Sequence, residues 1–383
     1  MDFLGFNRRN GVGTRNYVTI LCTVGCAGQA AREIAQNNPK AKLIVHHQGC
    51  AQTPVDITNV EKVLVNLSLN PNVHSVLLVG LGCESVSTQK VADEISKEKH
   101  VEVVNVEDEG ITKAVDKGSE IVKKMCLEAE SERRSKFSLS ELTLAIKCGA
   151  SDTTSGIVSN PVAGNVADKI VEEGGTVIFG ETTEVIGAEH ILARRAVNRE
   201  VSDKLYKYIE NMEKRAMAMG VDMRGGQPTG GNIKGGITTI EEKSLGAICK
   251  TGSTNLVSAV DYGDIVRVKG LVFMDSPGRE LEALTGFAAA GAQIILFSTG
   301  LGAPQGFPIV PVIKSSGNPK TCKRLAEHID VDLSPVFYGD LSIEEGGKMV
   351  LDEIIKVASS KPSKAELFKH EESIDIHVRG PVI

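Results

Sequence analysis

At 383 residues the chain is long enough for two domains of the usual ~150 residues each, and its 41% hydrophobic fraction supplies an ordinary core. Aromatic residues make up only 4% and Trp is absent, which argues against base-stacking platforms and sugar-stacking lectin surfaces. A net charge of −6 without a basic block argues against a nucleic-acid surface, and no run reaches the ~20 apolar residues of a membrane helix.

The stretch from Met1 to Arg9 has no apolar signal core, and eight scattered Cys do not make a disulfide scaffold; both point to a reducing cytoplasmic setting. Gly11-Val12-Gly13-Thr14-Arg15-Asn16 has the composition of a phosphate loop. It precedes the first strand instead of following it, so it reads as a turn with Arg15 free for a carboxylate. Strands are expected over 17–24, 42–47, 74–80 and 101–106, alternating with helices over 28–37, 56–69 and 86–98. Val60, Val63, Leu64 and Leu67 give the second helix its apolar stripe. Alternation of this kind predicts a parallel, doubly wound, Rossmann-like sheet. Three successive strands end in Gly25-Cys26, in His46-His47-Gln48-Gly49-Cys50, and in Gly82-Cys83-Glu84. In a parallel sheet those ends share one edge, the edge where open α/β sheets bind ligands. A helix from Ile111 runs into the charged stretch Glu128–Lys136, read as a solvated linker, so the expected domains are 1–136 and 137–383.

The second domain is expected to be another mostly parallel α/β unit, with the active cleft between the two. Its first strand, 142–146, leads to Cys148-Gly149 and the polar loop 150–161, ahead of a helix over 162–173. Strand 176–179 leads to Gly180-Glu181-Thr182-Thr183-Glu184, and a single long helix is expected over 188–219. In the glycine-dense stretch 225–236, Gln227, Thr229, Asn232 and Lys234 are interleaved with glycines, a pattern suited to amides wrapping an anion. A helix opening near Thr238 carries Lys243 and, near its end, Lys250. Later strands over 271–274, 293–297 and 309–313 end in Asp275-Ser276-Pro277, Ser298-Thr299-Gly300 and Lys314-Ser315, and 342–372 reads as a helix with a charged extension.

Taken together, these motifs resemble the catalytic part of the D-galactarate and altronate dehydratase family, nearly end to end. The resemblance rests on Gly11–Asn16, Gly25-Cys26, Gln48-Gly49-Cys50, Gly82-Cys83-Glu84, Cys148–Asp152 with Ser155-Gly156 and Asn160-Pro161, and Gly180–Glu184. It continues through Gly230-Gly231-Asn232, Thr239–Gly246, Lys250, Asp275-Ser276-Pro277 and Ser298-Thr299-Gly300. It implies a cytoplasmic, metal-dependent lyase that dehydrates a polyhydroxy carboxylate, an altronate-like aldonate or aldarate, to a 2-keto-3-deoxy acid. It also implies a small SAF-domain module, here a separate subunit because the family's catalytic motif already begins at Gly11, in a homo-oligomer of that heteromer. Leu301 and Ala303 stand where the family commonly has Arg and Thr, which removes a bidentate contact to the substrate. A relative within the family, sulfolactate sulfo-lyase, expels sulfite to give pyruvate and is the alternative reading; a non-catalytic scaffold subunit is a further one.

The implied chemistry removes the proton α to a carboxylate while the β-hydroxyl leaves. Lys250, Lys243 and Lys314 are the candidates for base or charge stabiliser. Glu84, Asp152, Glu181 and Glu184 are candidate acids or ligands. Arg15, Asn16, Ser151, Ser155, Asn160, Asn232, Asp275, Ser298, Thr299 and Lys314 are expected to bind substrate. For the metal two readings stand: an iron–sulfur cluster on Cys26, Cys50 and Cys83 with Cys148, or mononuclear Fe2+, with Mn2+ or Mg2+ as substitutes, on His46 or His47 with carboxylates.

Overall fold

The computed structural model describes residues 1–224, 228–371 and 374–383. Three sheets organise it. In the N-terminal half β3 (Tyr17–Cys22), β4 (Lys42–Ile44), β5 (Val73–Gly80) and β6 (His100–Asn105) form a parallel sheet of order β4-β3-β5-β6. Val76 to Val79 is buried on both faces, the pattern of a parallel strand covered by helices on either side. Ile20, Leu77 and Val79 pack towards the helices Gly28–Asn37 and Ile111–Ser131, whereas Leu21, Val76 and Leu78 face the helices Pro54–Leu69 and Thr88–Ser96.

The C-terminal half holds seven parallel strands in the order β10-β11-β9-β8-β12-β13-β14. These are β8 (Thr143–Gly149), β9 (Thr176–Phe179), β10 (Leu256–Val260), β11 (Gly270–Met274), β12 (Ile294–Thr299), β13 (Val312–Ser316) and β14 (Val331–Asp332). On one face Leu144, Ile146, Phe179 and Leu296 pack with the helices Asn160–Glu172 and Ile343–Ala358. On the other, Ala145, Ile178, Met274 and Phe297 share a single core with Leu21 and Leu78 of the first sheet and Val63 of the helix Pro54–Leu69. The two sheets therefore meet through a common apolar layer built on the helices Pro54–Leu69 and Glu280–Ala289. Both helices run back from strand carboxyl ends, and beyond them Asn70 donates to the carbonyls of Ala288 and Ala292 at 2.8 and 2.9 Å. Both sheets thus turn their carboxyl edges to the same side of the molecule.

Several expectations need correction. The N-terminus forms β1 (Asp2–Arg8) and β2 (Gly11–Gly13), and the supposed linker contributes β7 (Ser135–Ser138), giving an antiparallel sheet β2-β1-β7. Lys136 pairs with Asp2 at 2.8 Å, and Arg134 caps the carbonyls of Leu4, Thr14 and Ala358, so this charged stretch is structured. The helix expected over 188–219 is two, Glu189–Arg194 and Arg199–Ala218. Asn198 breaks it by accepting from the Val201 amide, an N-cap that starts the second helix afresh. The line between the halves, where a cleft was expected, is crossed by the C-terminal segment: Ile374 and Ile376 are buried there, and the Ile383 amide reaches the Ala51 carbonyl at 2.9 Å.

Candidate functional site

At the carboxyl edge of the larger sheet a chain of alternating charges forms: Lys147, Glu181, Lys250, Glu184, Lys243. The Lys147 ammonium, near the end of β8, donates to Glu181 Oε1 at 2.6 Å and to the Cys148 carbonyl at 3.1 Å. Lys250, in the turn after the helix Ile240–Ile248, bonds the other Glu181 oxygen and lies 3.3 Å from Glu184 Oε2. Lys243 approaches Glu184 Oε1 at 3.4 Å. Lys147, Glu181 and Lys250 are almost wholly enclosed. Burial alone would drive the Lys250 pKa down, but Glu181 and Glu184 outweigh it and raise it, so this lysine is a fixed cation and not a neutral base. Burial likewise works to raise Glu184, and the charges of Lys250, Lys243 and Lys147 overcome it and hold its pKa below the ordinary carboxylate value.

Beside this chain lies a cavity of about 500 Å³, its wall drawn wholly from residues 148–249. Cys148, Ser151, Asp152, Ser155, Asn160 and Lys243 reach it. Cys148 Sγ is 2.9 Å from Ser151 Oγ, and burial together with the neighbouring glutamates pushes its thiol pKa up, keeping it protonated. The Asn160 amide donates to the Gly246 carbonyl at 2.8 Å, which leaves its carbonyl oxygen buried without a partner. Asp152 serves the loop: its carboxylate accepts from Thr154, the Ser155 amide and Asn318 at 2.7, 3.0 and 2.6 Å. Gly300 permits that packing, since a Cβ there would fall 2.2 Å from Asp152 Oδ1. Asn232 holds the same loop through the Ser151 carbonyl at 2.9 Å. Gln227, with Gly225 and Gly226, lies outside the described residues.

A second cluster sits on the smaller sheet. Gly25 N bonds the Gln48 carbonyl, and Ser85 N and Val86 N bond the Gly49 carbonyl, so the loops bearing Cys26, Cys50 and Cys83 are tied together, each with an exposed thiol. Gly49, at φ 108°, allows this: a Cβ would lie 2.3 Å from the Thr23 carbonyl. His46 is no ligand here. Its Nδ1 accepts from the Gln48 amide at 3.1 Å and its Nε2 donates to the Cys22 carbonyl at 2.9 Å. Burial lowers its pKa to about 4, so the ring is neutral and fully engaged. His47 is open and stands 3.4 Å from Asp375. Glu84 staples the loop, accepting from Thr23, Thr88 and the Gly82 amide at 3.0, 2.6 and 2.6 Å. Among the described residues no three of His, Cys, Asp and Glu gather closely enough to surround one metal ion.

Other expected site residues lie elsewhere. Arg15 is at the opposite, amino edge, paired in a fork with Glu366 at 2.8 and 2.9 Å and bonded to the carbonyls of Thr14, Val357 and Lys361. Asn16 bonds Arg8 and the Ala129 carbonyl. Thr299 caps the amides of Gly302 and Ala303. Ser298 and Lys314 are buried outside the cavity wall, both without a partner for the side-chain polar atom. Asp275 accepts from Thr182 and Arg379. Lys147 escaped the sequence reading; its signal was an ammonium within the apolar run Leu144-Ala145-Ile146 of a central strand, which demands a buried counter-charge.

Comparison with known proteins adds the lineage. The family model described as D-galactarate/altronate dehydratase, C-terminal, matches residues 139–379, and that described as D-galactarate dehydratase/altronate hydrolase, second domain, matches residues 5–130. The chain is 36% identical to the (2R)-sulfolactate sulfo-lyase subunit beta of Chromohalobacter salexigens, over 97% of this chain and 96% of that one. It is 33% identical to the altronate dehydratase of Bacillus subtilis, over 97% of this chain and 76% of the relative. To the galactarate dehydratase (L-threo-forming) of Escherichia coli it is 33% identical, over 77% of this chain and 58% of that one.

Proposed function

This chain belongs to the D-galactarate/altronate dehydratase family of lyases, and we propose that it dehydrates a sugar acid to a 2-keto-3-deoxy acid at the cavity beside Glu184 and Lys243. The observation that carries this reading is the Lys243 ammonium, which lines the cavity, 3.4 Å from the buried Glu184 carboxylate behind it, backed by the buried cation of Lys250. Glu184 takes the proton from the carbon α to the substrate carboxylate. The C–O bond at the β position breaks, and the Lys243 ammonium protonates the departing hydroxide to water. The resulting enol tautomerises to the keto acid. Lys250 keeps Glu184 ionised until it is needed, and the free Asn160 oxygen accepts from a substrate hydroxyl. Proton transfer by such a positioned pair is worth about 10²–10⁴-fold in rate.

Iron is part of the proposal, either as a cluster through Cys26, Cys50 and Cys83 or as mononuclear Fe2+, with Mn2+ or Mg2+ as substitutes, on His47 with carboxylates. Among the described residues a single ion finds no closed ligand shell in this arrangement. A four-iron cluster, whose cysteines each bind a different iron, needs a wider spread, and three exposed cysteines outside any disulfide, on tied loops, are the right donors for it. Such a group would supply a Lewis acid for charge developing on the substrate. A small SAF-domain partner also belongs to the proposal, supported by the subunit naming of the sulfo-lyase relative.

The sulfo-lyase reading is favoured by coverage, since that subunit matches this chain almost end to end. The cavity chemistry favours the dehydratase. Its wall offers hydroxyls and an amide on Ser151, Ser155, Thr239 and Asn160, with Lys243 as its one basic residue against Asp152, Glu241 and Glu242. That lining suits a hydroxyl-rich monoanion better than a dianionic sulfonate. A substrate panel run anaerobically with iron and the partner, scored for keto acid and for sulfite, decides: sulfite from sulfolactate without turnover of any sugar acid would reverse the choice.

A further inference from the structure

Glu181 has a backbone φ of 68°, a left-handed conformation that a non-glycine residue keeps only when its surroundings over-determine it. The end of β11 supplies that restraint. The Glu181 amide donates to Ser276 Oγ at 2.8 Å, and the Thr182 amide donates to the Ser276 carbonyl at 2.8 Å. The Thr182 hydroxyl donates to Asp275 Oδ1 at 2.7 Å and accepts from the Ser276 amide at 3.2 Å. What holds Asp275 comes from the far end of the chain. Arg379 Nη2 donates to Asp275 Oδ2 at 2.9 Å, while its backbone amide donates at 2.8 Å to Oδ1 of Asp56, in the N-terminal half. The Gly380 amide adds a bond to the other Asp56 oxygen at 2.9 Å. Asp275 is almost fully enclosed, so without the guanidinium one of its oxygens loses its partner.

We propose that Arg379 is a positioning residue for the catalytic carboxylates: the C-terminal segment, anchored on Asp56, locks Asp275 and Thr182, and so holds Glu181 where it orients Lys250 and Glu184. Glu181 also accepts from the Cys148 amide at 3.2 Å, so the same lock keeps the β8 turn closed over the Cys148 thiol. Arg379 touches neither the cavity nor the charge chain. It acts through the backbone strain at Glu181, and this deepens the elimination reading on which its kinetic consequence rests.

The test compares wild type, Arg379→Gln and Arg379→Lys by two readouts: steady-state kinetics on the substrate the panel identifies, and iodoacetamide labelling of individual cysteines followed by peptide mass spectrometry. Arg379→Gln should lower kcat by about 10- to 100-fold with KM little changed, as expected when catalytic groups are misplaced by a fraction of an ångström to an ångström. Cys148 labelling should accelerate while Cys322, also buried but remote from the lock, stays protected. Arg379→Lys, which can give Asp275 one bond, should recover part of both. Unchanged kcat with unchanged Cys148 labelling would overturn the proposal. Cys148 and Cys322 becoming reactive together would also overturn it, because that is general destabilisation. If the wild-type chain turns over nothing on the panel, the elimination reading fails, and the thiol pattern still decides whether Arg379 holds the loop.

Discussion

Lys250 lies 3.3 Å from Glu184 while bonding Glu181 with the same ammonium, so one enclosed cation bridges two carboxylates. Removing the cation and removing the base should therefore behave differently. Glu184→Gln keeps the shape and a bond to Lys250; it should fold and lose about 10²–10⁴-fold in kcat. Lys250→Met leaves Glu181 with Lys147 and Glu184 with Lys243 and takes the shared central cation from both buried carboxylates, so it should cost up to about 3–5 kcal/mol of stability as well as activity. The pH window follows from the shifts. The lowered Glu184 contributes stability above the ordinary carboxylate pKa of 4.5, lost as pH falls through its depressed folded value. The raised Lys250 contributes below 10.5, lost only as pH climbs through its elevated folded value. Urea melts of wild type across pH check both limbs; a Glu184→Gln protein as slow as Lys250→Met but equally unstable would remove the distinction.

The strand-end rule made most of this edge legible. Cys148, Ser151, Glu181, Glu184 and Lys250 follow strands or helices whose periodicity is plain, and parallel connectivity then forces those ends together. Arg15 misled because Gly-Val-Gly-Thr-Arg carries the composition of a ligand loop but precedes β3, and so lies at the amino edge. Lys147 was hidden inside a strand, where alternation alone does not show what an ammonium meets. Arg379 was out of reach of any local pattern: its role depends on a ten-residue terminal segment without periodicity, placed by contacts to Asp56 and Asp275 more than a hundred residues away in sequence.

Lys314 offers a sharp separation between a catalytic and a merely buried amine. It is enclosed on β13 with no partner for its ammonium, and burial lowers its pKa to about 8, a fall only partly opposed by Asp330. A lowered lysine costs stability wherever it must be charged, here below pH 8, and the cost is relieved as pH rises towards 10.5. The shift corresponds to a cost on the order of 3 kcal/mol at neutral pH. Lys314→Met should therefore raise thermal stability at pH 7 and leave turnover intact. A stable, inactive Lys314→Met protein would place this amine in the chemistry after all.

His46 should govern the acid side of the N-terminal half. Its folded pKa of about 4 lies below the ordinary 6.5, so its contribution is complete above 6.5 and is lost as pH falls towards 4. Over that interval the loss is on the order of 3 kcal/mol. His46→Gln should be less stable than wild type at pH 7, because the Cys22 carbonyl and Gln48 amide lose a well-fitted partner. Between pH 6.5 and 4 its stability should vary less than that of wild type. Parallel stability curves for the two proteins would show that His46 does not carry the acid limb.

The three strand-end thiols carry the last prediction. Cys is among the most buried residue types, yet Cys26, Cys50 and Cys83 are all exposed, and their loops are cross-tied by backbone bonds. Thiolates, not thiols, bind iron, so affinity should fall as pH drops. Anaerobic preparations should contain iron with inorganic sulfide, and Ser at any one of the three positions should lower both together with activity. Cys126 and Cys322, which stand away from these loops, serve as controls whose Ser variants keep the metal. Iron without sulfide would leave a mononuclear site and require the loops to close around it. An active preparation holding neither would reduce the three thiols to features of the loop surface and leave Glu184, Lys243 and Lys250 to act alone.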